Sequence, residues 1–269
     1  MPAYVTTSDR VSLHYDQVPG EGARVLCLHA MMTDGRYFGA RRDNGFARAL
    51  GADVYVAEFR GHGRSQPPSA GEDDWSFDDL VERDLPALVA EIKPDAIIGH
   101  SLGGLVTLAA LGTGTIAPPR ALVLASTSVW LGGGLERRAI MAAYRGVTAL
   151  FGKAPIRALR AGHADESKGY VAQLTGWQRT GRWLSLKGVD YLAALETVTV
   201  PTLAITGAGD WMCKPDDAAA IARRVKAPLR IVGRAHGDAL DPDHFQLFTR
   251  PELTGVREEV ARFVTAPRE

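Results

Sequence analysis

The chain has 269 residues and is 46% apolar, enough for one large α/β domain or two small ones around a sizeable core. Lys plus Arg and Asp plus Glu are both 31, so the net charge is zero, which speaks against a general nucleic-acid binder and against electrostatic adhesion to an anionic membrane. No apolar run approaches the roughly 20 residues that span a bilayer, Met1–Arg10 lacks the basic-then-apolar pattern of a secretory leader, and Cys27 and Cys213 make no disulfide framework, so the cytoplasm is the expected location.

Tyr4–Thr7 and Val11–Tyr15 read as two short strands joined by a Ser8-Asp9-Arg10 turn, an edge hairpin. Val25–Leu28 is a short buried strand that runs into His29-Ala30-Met31-Met32. Helical character is expected over Phe38–Leu50, then a strand over Asp53–Phe59 that ends in Arg60-Gly61-His62-Gly63-Arg64-Ser65. Here His62, between two glycines, is expected to shape a turn. Pro67–Asp74 reads as a loop. Ser76 caps a helix through Glu91, with Asp79 three residues on as its capping-box partner. Strands follow at Ala96–Gly99, Ala121–Ala125, Thr202–Thr206 and Leu229–Val232, and a last helix at about Pro251–Val264. Strands that alternate with helices predict a mostly parallel sheet covered on both faces. Fully apolar strands fit that burial, and ligands of such sheets sit at the carboxyl ends of the strands.

Between Ser126 and Val200 the alternation stops. Aromatic residues such as Trp130, Tyr144, Trp177 and Trp183 are scattered among helical stretches. From 130 to 195 there are ten Lys and Arg against four Asp and Glu, a surplus of six positive charges. A structureless loop of that length is improbable, so 129–197 is expected to form a helical cap over a core made of 1–128 and 198–269.

One stretch carries the chemistry. Ala96-Ile97-Ile98-Gly99-His100-Ser101-Leu102-Gly103-Gly104 is an apolar strand, a G-x-S-x-G turn and the start of an apolar helix. That context marks a nucleophile elbow, with Gly99 and Gly103 relieving the crowding of a strained serine. A serine hydroxyl needs a base, and the base needs an orienting carboxylate. On a strand–helix architecture the acid follows a late strand, and Asp210 does so through Gly207-Ala208-Gly209. Asp216 and Asp217, after Pro215, suit a helix start instead. The histidine follows the last strand, where His236 and His244 are both available and geometry alone separates neither. An oxyanion hole needs two aimed N–H donors. Leu102 supplies one, and the loop after Val25–Leu28 supplies the other, Met31 first and Met32 as the alternative. His29, which precedes the serine in a turn, reads as a structural hydrogen-bonding residue.

With these motifs in place the chain resembles the α/β-hydrolase superfamily over nearly its whole length, most of all the lipase/esterase and serine-aminopeptidase-like branch. The motifs that carry the resemblance are His29-Ala30-Met31, Arg60 to Ser65, Gly99 to Gly104, Gly207 to Asp210, and Asp243-His244-Phe245. The resemblance implies an α/β-hydrolase fold with the cap inserted between late strands. It favours His244, in a His-Phe step before the last helix, over His236. The usual His-Gly before the oxyanion residue is His29-Ala30 here, which costs little where the backbone φ is negative. The implied activity is hydrolysis of carboxylic esters of a small-molecule acyl substrate, through a Ser101, His244 and Asp210 triad and an acyl-enzyme, with no metal or organic cofactor. Haloalkane dehalogenases and epoxide hydrolases carry aspartate at the elbow and dienelactone hydrolases cysteine, so Ser101 disfavours them. A peptidase or amidase is the runner-up. Thioesterase, acyltransferase, C–C hydrolase and cofactor-free haloperoxidase readings use the same triad, and a non-catalytic ligand-binding protein is the alternative of another class. The basic cap points to neutral or acidic acyl substrates, and a peptidase calls for an acidic or polar subsite.

Overall fold

The computed structural model of the chain describes residues 2–66 and 74–266. Ten strands occur among them: β1 Pro2–Thr6, β2 Ser12–Val18, β3 Arg24–Leu28, β4 Asp53–Ala57, β5 Ala96–His100, β6 Ala121–Ala125, β7 Lys153–Ala154, β8 Glu166–Ser167, β9 Thr202–Gly207 and β10 Leu229–Val232. Eight of them form one sheet in the order β1-β2-β4-β3-β5-β6-β9-β10, while β7 and β8 pair separately. The hairpin strands β1 and β2 run antiparallel, and β2 meets β4 antiparallel. The six strands from β4 across to β10 are mutually parallel. After β3 the chain steps out to β4 and then returns to place β5 on the other side. That reversal is the switch point where open α/β sheets present their ligand crevice.

Side-chain alternation explains how the sheet takes helices on both faces. Leu26, Leu28, Ile97, Leu122 and Leu124 point into one core. Val25, Cys27, Ile98, Val123 and Ala125 point into the other. The first core is closed by the helical run 77–92, which contributes Phe77, Leu80, Val81, Leu85, Leu88 and Ile92, and by the helix Leu102–Gly112. The second is closed by Phe38, Phe46 and Phe248 and by Val256, Val260 and Val264, one face of the helix Thr254–Thr265. Each buried Leu or Phe of this kind stabilises the fold by roughly 1.5–3 kcal/mol.

Ser76 caps its helix through a complete capping box with Asp79. The run then passes through a π-helical stretch, Leu80–Asp84, before it ends at Ile92. The helix expected over 38–50 is not continuous. A 3-10 turn covers Gly35–Phe38 and a single helical turn covers Phe46–Ala49. Between them Gly39 has φ 65°, and a Cβ on Gly45 would lie 2.0 Å from the Gly39 carbonyl oxygen. The two glycines fold the segment back on itself, which apolar spacing does not reveal. The last helix starts at Thr254 rather than near Pro251. Of the loop expected at Pro67–Asp74, residues 67–73 lie outside the described residues.

The segment between β6 and β9 contains the helices Leu135–Phe151, Lys168–Thr180 and Tyr191–Ala194 and the small β7–β8 pair. Its aromatic residues Trp177, Trp183 and Tyr191 are buried around Phe77, so the segment is anchored on the helical run 77–92. No helix among the described residues is long and apolar enough to cross a membrane.

Candidate active site

Ser101 sits at the tip of the turn between β5 and the helix Leu102–Gly112, with φ 51° and ψ −108°. A non-glycine residue held there is strained, and strain of this kind is kept where the surroundings over-determine it. The surroundings do so here. The Ser101 N–H donates to the Ala125 carbonyl at 2.8 Å, and the Gly103 N–H donates to the His29 carbonyl at 3.0 Å. A Cβ on Gly99 would lie 2.5 Å from the Gly104 backbone, and one on Gly103 would lie 2.4 Å from the Leu28 carbonyl oxygen. Gly99 therefore lets the turn close on itself, while Gly103 lets the helix start press against the end of β3.

The Gly103–His29 bond brings the loop after β3 beside the elbow. His29 is fully buried. Its Nδ1–H donates to the Ala30 carbonyl at 2.8 Å, and its Nε2 accepts the Phe59 N–H at 3.1 Å. The second bond requires the neutral ring, because a protonated Nε2 cannot accept. Burial, aided by the nearby His62, pushes its pKa down to about 4. His29 is thus a strut between the ends of β3 and β4. Ala30 keeps a negative φ, so the position does not need glycine. The Met31 N–H has no partner among the described residues, whereas the Met32 N–H donates to the Glu166 carboxylate at 2.5 Å. Leu102, first in its helix, has no intrahelical acceptor for its N–H. Of the two loop donors considered, Met31 is free and Met32 is engaged.

Asp210 follows β9. Its Oδ1 accepts the Met212 N–H at 2.9 Å and the Cys213 N–H at 2.7 Å. Its carboxylate meets His244 Nδ1 at 3.1 Å from Oδ1 and 2.9 Å from Oδ2. Both side chains are buried. The loops that carry them touch through Gly207, where a Cβ would lie 2.0 Å from the Pro242 carbonyl oxygen. The other candidates are placed elsewhere. His236 is exposed at the end of a 3-10 turn. Asp217 belongs to the start of the helix Pro215–Arg224, where it accepts the Lys214 N–H and pairs with Arg137.

His244 Nε2 is buried and makes no hydrogen bond among the described residues. Ser101 and His244 line one cavity of about 390 Å³. The Ser101 hydroxyl and this nitrogen are not hydrogen-bonded; nucleophile–base bonds of this kind tighten when substrate binds. His100, to which no role is assigned from sequence, is buried, stacks on Tyr37 with ring centroids 4.2 Å apart, and donates its Nε2–H to the His244 carbonyl at 2.8 Å. Burial first, then the neighbouring His244, hold its pKa well below the ordinary histidine value, so it remains a neutral donor. Nothing in the G-x-S-x-G pattern points to this use of the variable position.

The remaining walls of the cavity are mostly apolar, with Met31, Leu105, Trp130, Met141, Leu174 and Trp211 among them; Ser128, Tyr144 and Tyr170 are its other polar residues, and no Lys, Arg, Asp or Glu lines it. The positive surplus of the inserted segment is spent outside. Arg137 lies over Trp130 and pairs with Asp217, Lys153 pairs with Asp165, and Lys187 pairs with Glu82. Of the expectation that the basic cap favours neutral or acidic acyl substrates, the acidic part loses its basis, because no Lys or Arg lines the cavity. The motif after β4 is structural. Arg60 is 1% exposed and clamps Asp9 and Asp84. His62 is buried against Glu166. Among the described residues no group of three or more His, Cys, Asp or Glu side chains is arranged to hold a metal ion.

Comparison with known proteins agrees with this architecture. The chain is similar over 99% of its length to an esterase from Exiguobacterium antarcticum, all of which is covered, with 18% identity and a TM-score of 0.72. It is similar to a bromoperoxidase from Bacillus anthracis with 16% identity and a TM-score of 0.70, covering 98% of this chain and 99% of the other. It is also similar to an N-formylmaleamic acid deformylase from Pseudomonas putida S16 with 17% identity and a TM-score of 0.63, covering 96% of this chain and 100% of the other. At these identities the likeness shows the fold alone. No curated protein matches the sequence. Residues 25–253 match the model of the alpha/beta hydrolase family, from the start of the buried β3 to the turn before the last helix, and the chain belongs to that family.

Proposed function

We propose that the protein is a serine hydrolase of carboxylic esters, with 129–197 acting as a cap over the site. One observation carries the reading. His244 is oriented by Asp210 through Nδ1, its Nε2 is unpaired among the described residues, and His244 and the strained Ser101 line one cavity. In that arrangement His244 Nε2 takes the Ser101 proton as Oγ attacks the acyl carbonyl. The Met31 and Leu102 N–H groups receive the developing oxyanion. The imidazolium, stabilised by Asp210, returns its proton to the leaving alcohol. Water, deprotonated by His244, then releases the acid from Ser101. The steps call on no metal or organic cofactor.

The cavity supports an ester with an apolar acyl or alcohol group. Its volume, about 390 Å³, lies within the usual range for small-molecule sites. Its methionines adapt to substrates of differing shape. A peptidase that recognises a free amine needs an acidic or polar subsite, and no carboxylate lines this cavity. The test is a panel of p-nitrophenyl esters from acetate to palmitate beside an aminoacyl-naphthylamide. Ester turnover with little amide cleavage is expected. Preferential amide cleavage contradicts the ester reading, and tight binding of an ester without turnover identifies a binding protein.

A further inference from the structure

Glu166 is buried, lies in the inserted segment, and plays no part in the triad. Its Oε1 accepts two bonds, one from the Met32 N–H at 2.5 Å and one shared with His62 Nε2 at 3.2 Å. Its Oε2 has no hydrogen-bond partner among the described residues. His62 is equally buried, and its Nδ1–H donates to the Arg60 carbonyl at 2.9 Å, so Nε2 is the atom left for Glu166. Burial alone disfavours the charged imidazole, but the Glu166 charge and hydrogen bond outweigh it and raise the His62 pKa. A carboxylate and an imidazolium removed from water together are costly, and such pairs contribute geometry more readily than stability.

The geometry they fix is that of the loop beside the elbow. Met32 has φ 60°, a backbone conformation that non-glycine residues seldom adopt. Its carbonyl accepts the His163 N–H at 2.7 Å and the Ala164 N–H at 3.3 Å, while the Tyr170 hydroxyl lies 3.8 Å from Met31 Sδ. Every one of these partners belongs to the segment between β6 and β9. The peptide that joins Met31 to Met32 is thus held through its N–H by Glu166, immediately after the free Met31 N–H.

We infer that Glu166, held by His62, is a positioning residue for the oxyanion hole: by accepting the Met32 N–H it sets the Met31–Met32 peptide, so that the hole takes its working shape only when the inserted segment is seated. The inference rests on the ester-hydrolase reading. It separates two roles of that segment, walling the acyl cavity and aligning a catalytic donor.

The test compares Glu166→Ala, Glu166→Gln and His62→Asn with wild type on a p-nitrophenyl ester. The same proteins are titrated with an alkyl boronic acid, which forms a tetrahedral adduct on serine, and their Met31 and Met32 amides are followed by NMR with hydrogen exchange. Misplacing an oxyanion donor costs on the order of 10²-fold. Glu166→Ala is therefore expected to lower kcat about 10²-fold with KM within about twofold, to weaken the boronic acid by a similar factor, and to speed exchange of the Met32 amide. Glu166→Gln keeps an acceptor for Met32 and is expected to recover at least about tenfold of the loss, with His62→Asn between the two. A kcat within twofold of wild type in Glu166→Ala, or a rise in KM alone, overturns the inference by leaving Glu166 only a wall residue. If Glu166→Ala does not fold, Glu166→Gln and His62→Asn decide by the same split. A wild type inert to all esters refutes the ester-hydrolase reading instead, and Met32 exchange unchanged in the folded variants would still overturn the positioning role.

Discussion

Replacing Asp210 by asparagine is expected to leave the fold intact and nearly abolish turnover. Asp210 Oδ1 accepts two backbone N–H groups, those of Met212 and Cys213, while Oδ2 makes the shorter contact to His244. Both backbone groups are donors, so they hold the asparagine carbonyl oxygen at the Oδ1 position. The amide nitrogen is then forced toward His244 Nδ1. An NH₂ group donates, so Nδ1 becomes an acceptor and the imidazole proton moves to Nε2, the atom that must take the proton of Ser101. A wrong tautomer of this kind lowers kcat by about 10⁴-fold in triad enzymes, which is about 5.5 kcal/mol of barrier. Because the Met212 and Cys213 N–H groups keep an acceptor, the melting temperature is expected to stay near that of wild type. Asp210→Ala instead leaves the buried Cys213 N–H without an acceptor, at about 1–3 kcal/mol, and the half-buried Met212 N–H as well, and is expected to lose both activity and stability. Steady-state hydrolysis of a p-nitrophenyl ester and a thermal melt separate the two variants. Asp210→Asn with kcat within tenfold of wild type, or an equal loss in Asp217→Asn, would refute the assignment of the acid.

Three further outcomes follow from the same geometry. His244→Ala is expected to lower kcat by about 10³-fold or more, because a triad acts as a unit, whereas His236→Ala, on the exposed 3-10 turn, is expected to change it by less than about twofold. Gly207→Ala places a Cβ 2.0 Å from the Pro242 carbonyl oxygen and is expected to displace the His244 loop, lowering both kcat and stability, the latter by about 1–3 kcal/mol. Unaltered turnover there would show that the two loops do not pack as described. Stability is expected to fall on acidification, since the unfolded chain protonates His29 below about 6.5 while the folded chain does so only near 4. From pH 7 to pH 5 this group alone removes about 2 kcal/mol, and His100, shifted the same way, adds to it. His62, raised, works in the opposite direction: its contribution is complete below its unfolded value and declines as pH rises, so between pH 7 and pH 5 it offsets part of the loss. Urea unfolding at the two pH values measures the difference, and equal midpoints would contradict it.

Much of the fold was legible because its strands are buried on both faces. Runs such as Val25–Leu28 and Ala121–Ala125 have nowhere polar to point, and each ends where the chain must turn at the sheet's edge. Ser101 was legible for the opposite reason, since a polar residue between glycines breaks such a run. The segment 38–50 misled because its apolar spacing suits a helix while Gly39 and Gly45 meet backbone to backbone, a contact with no periodicity. Residue types alone left His236 and His244 equivalent. What distinguishes them is the packing of Gly207 on Pro242, a contact across 35 residues of chain. The helper residues were the least visible. His100 acts through a carbonyl on a distant loop, and Glu166 through a backbone N–H, so neither needs a neighbour in sequence that would advertise it. The charge surplus of the inserted segment was counted correctly, but its direction depends on which side chains find partners such as Asp217 and Glu82.

The central claim is that Ser101 is an activated nucleophile. Mass spectrometry of the protein after exposure to a fluorophosphonate tests it most directly. The account expects one covalent adduct, mapped to Ser101, absent from Ser101→Ala and from unfolded protein, and formed far more slowly in His244→Ala. An unlabelled native protein, or an adduct that persists in Ser101→Ala, would contradict it.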